Sequence, residues 1–182
     1  MTFDFTTTGE VRVTIDKCVD DILAGCGVMT TKVTPGASVL FDVRDAPKAT
    51  ETEAKWYHTH VAKILYLAKR VKPECLTAVD FLSTRVNVSG IDDLAKLQGL
   101  LGYIRHTRTR GIVLRVGRTM MVKAFIDAAY GVHQDSGKSH TGCAIVLGES
   151  GTLSRRLSPS LAQKSSLWAC PTLLVKLFIF GT

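Results

Sequence analysis

The chain has 182 residues, enough for one domain or slightly more with a full hydrophobic core. Twenty-three basic against sixteen acidic side chains give a formal charge of +7, which permits salt-sensitive contact with nucleic acid and is equally common on ordinary basic surfaces. The five cysteines lack CxxC spacing, which excludes a recognisable zinc motif or disulfide framework, and no stretch reaches the roughly 18 apolar residues of a membrane span, so reduced thiols, an intracellular setting and no membrane partner are expected.

A β-hairpin is expected first. Met1 to Phe5 and Glu10 to Ile15 alternate apolar and polar residues, and the Thr-Thr-Thr-Gly between them reads as a turn. Asp16 then offers a helix cap, and Cys18 to Cys26 carries apolar residues at helical spacing up to a glycine. Thr30 to Lys48 is interrupted by proline, glycine and threonine and should connect, apart from a short apolar run around Val39 to Val43. A long helix is predicted from Glu51 to Arg70, with Trp56, Tyr57, Val61, Ile64, Leu65 and Ala68 on one stripe, acids near its start and bases near its end. Pro73 to Val86, with Leu76, Val79, Phe81 and Leu82, supplies a second helix. Asp92 to Arg105, with Leu94, Leu97, Leu100, Leu101 and Ile104, supplies a third, and the three make a packable bundle.

Candidate chemistry along these elements is sparse. His58 and His60 stand two apart, so they face different sides of a helix, where a helical zinc pair needs three or four; they are assigned to the surface or to helix packing. Arg105, Arg108 and Arg110, with Arg115, Arg118 and Lys123 beyond, gather positive charge suited to a phosphate backbone or simply to water. Met121 to Tyr130 is a β-type run containing one carboxylate, Asp127, and a polar turn leads from it to a second apolar run, Cys143 to Leu147. Within that turn, Ser136-Gly-Lys-Ser139 is similar to the end of a phosphate-binding loop, but a strand rather than a helix follows, so a hairpin turn is expected. His133 and His140 flank the turn as solvated loop histidines, and Lys138 joins Arg105, Arg108 and Arg110 as a candidate nucleic-acid contact.

Three motifs in order carry a family resemblance. Ala62-Lys-Ile-Leu-Tyr-Leu-Ala-Lys-Arg-Val-Lys-Pro-Glu-Cys-Leu-Thr-Ala-Val-Asp-Phe-Leu-Ser-Thr-Arg85 resembles the segment after the polymerase palm in copia-type LTR retrotransposon polyproteins. Asp92-Asp-Leu-Ala-Lys-Leu-Gln-Gly-Leu-Leu-Gly-Tyr-Ile-Arg-His-Thr107 resembles their next helix, and Ile126-Asp-Ala-Ala-Tyr-Gly-Val-His133 with Lys138-Ser-His-Thr-Gly142 resembles the opening of their RNase H domain. The Met-Thr-Phe-Asp-Phe start resembles the primer-contacting hairpin after the polymerase aspartates, so the resemblance implies no polymerase chemistry in this chain. Val19-Asp20-Asp21 is not read as the Tyr-x-Asp-Asp turn of reverse transcriptases, because Cys18 replaces the tyrosine and the surroundings are helical.

The resemblance implies a two-metal nuclease, in which several carboxylates hold two Mg2+ ions, one to activate water and one to stabilise the leaving oxygen. Asp127 matches the first carboxylate. The family's second lies in a Ser-Ser-Thr-Glu-Ala-Glu-Leu helix and its third in a Leu-Ser-Asp; this chain has neither, and Glu149 is the only acid from Cys143 to Thr182. The neighbouring reading frame accounts for the loss. Combining the third base of each codon with the first two of the next, the genetic code allows, from Thr152 onward, a run containing Ser-Ser-Thr-Glu-Val-Glu-Leu and then Leu-Ser-Asp, with valine where the codons cannot encode the family's alanine. One frame change near Gly151 is expected to have converted an RNase H domain into an unrelated tail.

The expected architecture is therefore α+β: an N-terminal β-hairpin and loop over 1–48, a central helical bundle over 49–118, the first strands of an RNase H-like domain over 119–152, and an out-of-frame tail over 153–182, disordered or poorly packed. An intact RNase H domain has a mixed five-stranded sheet, of which this chain supplies about two strands. The apolar end, Leu173 to Phe180, has β propensity and one charge, Lys176, so it suits addition to the open sheet edge or aggregation; it is too short for a membrane anchor. The expected function is a catalytically inactive retroelement fragment with weak affinity for an RNA–DNA hybrid or other nucleic acid, no cofactor of its own and no small-molecule substrate. A repurposed nucleic-acid or protein-interaction module is the alternative. A nuclease borrowing carboxylates from another chain ranks third.

Overall fold

The computed structural model describes residues 1–27, 30–115, 122–129, 139–147, 150–155, 158–160 and 173–177, with side chains through residue 115 and at Phe125. The fold is α+β, and the chain divides into two units, Met1 with Thr14–Gly111, and Thr2–Val13 with Ile112–Thr182. The N-terminal hairpin therefore groups with the C-terminal strands.

The first unit is helical: α1 Asp16–Ala24, α2 Glu51–Ala68, α3 Leu76–Thr84 and α4 Ile91–His106, with single 3-10 turns at Pro73–Cys75 and Val86–Val88 flanking α3. α2 starts at a reciprocal cap. The Glu53 amide donates to Thr50 Oγ1 (3.4 Å), while the Thr50 amide donates to Glu53 Oε2 (2.9 Å), satisfying two of the amides that a helix start leaves unpaired. Asp16, expected as a cap, is instead the first helical residue of α1; Ile15 takes the cap position, and Asp16 Oδ2 accepts from the Thr14 hydroxyl at 3.0 Å.

The core of this unit joins Val19 and Ile22 of α1, Tyr57, Val61, Ile64 and Leu67 of α2, Val79, Phe81 and Leu82 of α3, and Leu97, Leu100, Leu101 and Ile104 of α4. Each fully buried aliphatic or aromatic side chain contributes about 1.5–3 kcal/mol. The Tyr57 hydroxyl donates to the Leu82 carbonyl at 2.8 Å, tying α2 to the end of α3 without orphaning a buried polar group. The predicted stripe of α2 needs one correction: Leu67 is buried, whereas Leu65 and Trp56 are half-buried. Residues advance by about 100° around a helix, so Leu65 stands about 100° from Ile64 at the centre of the buried face and Leu67 only about 60°.

The 30–48 connection lies against α4. The Lys32 amide donates to the Gly102 carbonyl at 3.2 Å, and a Cβ on Gly102 would stand 2.9 Å from the Thr30 carbonyl oxygen, so this mid-helix glycine permits direct backbone approach. Further along, Leu40 is buried and Phe41 sets its ring edge-on to Phe81, with centroids 5.3 Å apart. A bridge between Lys48 and Gly90 closes the loop just before α2.

The second unit is built from strands. β1 Thr2–Asp4, β2 Glu10–Thr14 and β3 Ile112–Arg115 form an antiparallel sheet in that order. The β1–β2 turn places Gly9 at φ 77°, a left-handed conformation that glycine adopts freely, and the Glu10 amide closes it onto the Thr7 carbonyl at 3.1 Å. β3 was not expected. Ile112 to Arg115 is only four residues long and does not alternate in sequence, yet its burial alternates and it pairs with β2 from Val13↔Ile112 to Glu10↔Arg115.

The other sheet contains β4 Val122–Ala129, β5 Ser139–Leu147, β6 Ser150–Arg155, β7 Ser158–Ser160 and β8 Leu173–Leu177, in the order β6-β5-β4-β8, with β7 also on β5. β4 and β5 are the anticipated hairpin. β5 begins four residues earlier than the apolar run, so His140 is a strand residue paired with Ala129 and not a turn histidine. β8, from the apolar end, zips antiparallel onto the free edge of β4, from Val122↔Leu177 to Ile126↔Leu173. Every described pair in this sheet is antiparallel. His133, Gly137 and Lys138 lie outside the described residues.

Candidate nucleic-acid interface and the lone carboxylate

Asp127 sits near the end of β4, in register with Gly142 of β5 and one residue beyond the last β4–β8 pair, Ile126↔Leu173. None of β5, β6, β7 and β8 contains an aspartate or glutamate, so strand pairing brings no second carboxylate beside it. A two-metal centre needs several hard oxygen donors around each ion. Among the described residues Asp127 stands opposite a glycine with no strand-paired carboxylate, and no group of three or more His, Cys, Asp or Glu gathers.

The arginines proposed to contact phosphate differ in their surroundings. Arg108, 57 % exposed, directs Nε at Asp20 Oδ1 of α1 at 2.7 Å, and this hydrogen bond holds the Asp20 carboxyl below its ordinary range. Asp20 belongs to the Val-Asp-Asp run, whose helical placement gives it a structural partner. Arg105, in the last turn of α4, is half-buried, with Nε shielded from water and lacking a hydrogen-bond partner among the described residues. Arg110 is exposed, and its backbone carbonyl accepts a hydrogen bond from within the fold. Arg115 pairs with Glu10 across β2 and β3, Nε to Oε1 at 2.5 Å. Lys138 and Arg118 lie outside the described residues, as does the side chain of Lys123.

Lys72 donates that hydrogen bond, and sequence reasoning missed it. It is fully buried, and Nζ donates to the Thr107 carbonyl (2.6 Å), the Thr107 hydroxyl (3.1 Å) and the Arg110 carbonyl (3.2 Å). The C-terminal end of α4 presents carbonyls that the helix cannot satisfy, and a cation there also meets the negative end of the helix dipole. Burial pulls the Lys72 ammonium below the usual lysine value, with Glu74 opposing. A lysine between Val71 and Pro73 carries no pattern that separates it from a solvated one, so only tertiary context reveals the role.

The two histidines separate as expected: His58 is exposed and His60 buried. The His60 ring stacks on Trp56 with centroids 4.1 Å apart, and its Nδ1 lies 2.9 Å from the Trp56 carbonyl, which assigns the proton to Nδ1 and leaves Nε2 as an acceptor. Trp56 Nε1 in turn donates to the Gly25 carbonyl at 3.3 Å, locking α1 onto α2. Cys18, Cys26 and Cys75 are free thiols. Burial pushes the Cys75 thiol up to about 12.

This burial has a measurable sign. An unfolded cysteine titrates near 9.0, so between that pH and about 12 the unfolded chain releases a proton that the folded chain keeps. Unfolding free energy should therefore fall with rising pH in that window, by at most about 1.4 kcal/mol per pH unit. Urea titrations from pH 8 upward should show this fall, and it should be shallower in Cys75→Ala; equal slopes would contradict a buried, protonated thiol.

Two clefts open on the helical unit. One, of about 370 Å³, lies between the 32–40 loop and α4 and includes Lys32, Pro35, Val39, Lys96 and Leu100. Lys96 is already committed there, to the Asp92 carboxylate at 2.9 Å and to the Asp42 carbonyl. The other, of about 350 Å³, is bordered by Cys26, Glu53, Trp56, Leu94 and Gln98, and the Cys26 thiol donates to the Leu23 carbonyl at 3.2 Å. Glu53 on this cleft is already committed to the Thr50 cap. Compared with family models, with curated proteins and with solved structures, the chain matches none.

Proposed function

We propose that this chain is a fragment of a copia-type retroelement polyprotein, spanning the region after the polymerase palm and the opening of RNase H, without catalytic activity and with weak, sequence-independent affinity for nucleic acid. The observation that carries the reading is the acid count: Asp127 stands where the family places its first metal carboxylate, and Glu149 is the sole acid from Cys143 onward. Three motifs in family order over residues 62–142 support the origin, and the shifted frame of residues 152–182 supports the manner of the loss. In this reading Mg2+ belongs to the intact family and no step is assigned to it here.

The decisive assay is cleavage of a labelled RNA–DNA hybrid in millimolar Mg2+. No cleavage above buffer is expected, and Asp127→Asn should be indistinguishable from the parent. Hybrid cleavage that disappears in Asp127→Asn would mean that the missing carboxylates come from a second chain. Coding DNA that failed to spell Ser-Ser-Thr-Glu-Val-Glu-Leu in the shifted frame would remove the frameshift.

A second reading, a repurposed binding module, is favoured by the completeness of the helical core, with Tyr57, Ile64, Phe81, Leu97 and Ile104 all excluded from water.

A further inference from the structure

We infer that the solvent face of α2, rather than the arginine run after α4, is the surface that takes nucleic acid, and that its occupant is a single strand held by its phosphates with a base stacked at Tyr66. The choice of partner rests on the retroelement reading; the surface itself rests on geometry.

Lys55, Lys63, Lys69 and Arg70 are all exposed and occupy one side of α2 and the turn after it, opposite the buried stripe centred on Ile64. Their spacing of eight, six and one residues keeps them within about 120° of arc at about 100° per residue, over an axial length of about 22 Å. From Ala54 to Pro73 the sequence contains no acid, and among the described residues none of these four cations is ion-paired. Arg108 and Arg115, by contrast, are paired.

Tyr66 lies in the middle of this face and is 48 % exposed, an unusual place for a large aromatic ring. The Arg70 guanidinium lies over it, 3.7 Å from the ring centroid, and is held by a hydrogen bond from its Nη1 to the Tyr66 carbonyl at 3.3 Å. The result is a preformed flat platform flanked by cations, the combination that binds single strands without sequence preference. An acidic protein or an anionic membrane would use the charges but has no need of the stacked pair.

The test uses the full-length protein and fluorescence anisotropy of labelled 20-nucleotide oligo(dT) and oligo(rU), read from low to physiological salt. Binding that weakens steeply with salt is expected, and substituting Lys55, Lys63, Lys69 and Arg70 together by Gln should abolish most of it, each lost cation flattening the log–log salt slope by about 0.7. Tyr66→Ala, which keeps all four charges, should weaken binding about tenfold while leaving the salt slope nearly unchanged. Arg108→Gln with Arg110→Gln should bind as the parent does.

Parent-like binding by the α2 variants, with loss in the Arg108/Arg110 variant, overturns the surface and leaves the functional reading intact. No binding by the parent even at low salt overturns the surface and also the nucleic-acid part of that reading, while the cleavage assay judges the lost catalysis separately. Preferential binding to phosphatidylserine vesicles over both oligonucleotides overturns the choice of occupant. Far-UV circular dichroism identical across the variants establishes that loss of binding is not loss of fold, as expected for side chains already in water.

Discussion

Lys72→Met should lower the stability of the helical unit by about 2–4 kcal/mol, seen as a drop in urea midpoint with an unchanged m-value. Methionine fits the volume of the lysine stem, so cavity formation contributes little; the cost comes from losing the three bonds of Nζ, which leaves the Arg110 carbonyl (3.2 Å) without that donor and the Thr107 carbonyl with the Arg110 amide alone (2.9 Å). Arginine at this position should fail as well, because a planar fork cannot enter a site shaped for a compact ammonium. A midpoint shift under about 0.5 kcal/mol, the range of ordinary surface substitutions, would show that Lys72 is not buried as described.

Phe81→Ala should cost about 3–5 kcal/mol. Phe81 is fully buried, its ring receives the edge of Phe41 at 5.3 Å between centroids, and Lys96 Nζ stands 5.4 Å from its face. Three parts of the unit, α3, the 30–48 loop and α4, thus meet at one ring, and removing it leaves a cavity that none of them can fill by side-chain motion alone. With a typical domain stability of about 5–15 kcal/mol, the variant should lie close to the unfolding threshold, and calorimetry should show a single transition moved to lower temperature by many degrees. A variant that retained the parent midpoint would show that the loop and helices are not packed through this residue.

The helical unit was legible because long amphipathic segments declare themselves by period. Leu76, Val79, Phe81, Leu82, Leu94, Leu97, Leu100, Leu101 and Ile104 were all expected inside and all are. Leu65 was misplaced for Leu67 because both are leucines near the edge of the same stripe, and only the packing of neighbouring helices decides which edge is covered. β3 was missed because Ile112-Val113-Leu114 is a run of three apolar residues with no alternation, too short to stand out beside the arginines around it. The early start of β5 was missed because Ser139, His140 and Thr141 are polar, and their pairing comes from the neighbouring strand rather than from their own propensity.

The candidate site divides in the same way. The position of Asp127 on a strand was legible from its apolar neighbours, and the positive charge around the end of α4 was legible as composition, but the partners of those arginines were not. Arg108 reaches Asp20, which lies 88 residues away in the chain, and no local pattern contains such a partner. Charge along a sequence reports supply, whereas availability depends on the fold, and α2 illustrates the difference: its lysines are spread through an amphipathic helix and gather only when it is rolled into three dimensions.

At Gly102, the hydrogen where other residues bear a methyl group sets the depth at which the 30–48 segment beds into α4. Alanine there would stand 2.9 Å from the Thr30 carbonyl oxygen and 3.6 Å from the Lys32 amide nitrogen, so backbone, not a pliable side chain, would have to give way. The smallest possible enlargement would thus prise the start of this segment off the helix and stretch the bond between the Lys32 amide and the Gly102 carbonyl.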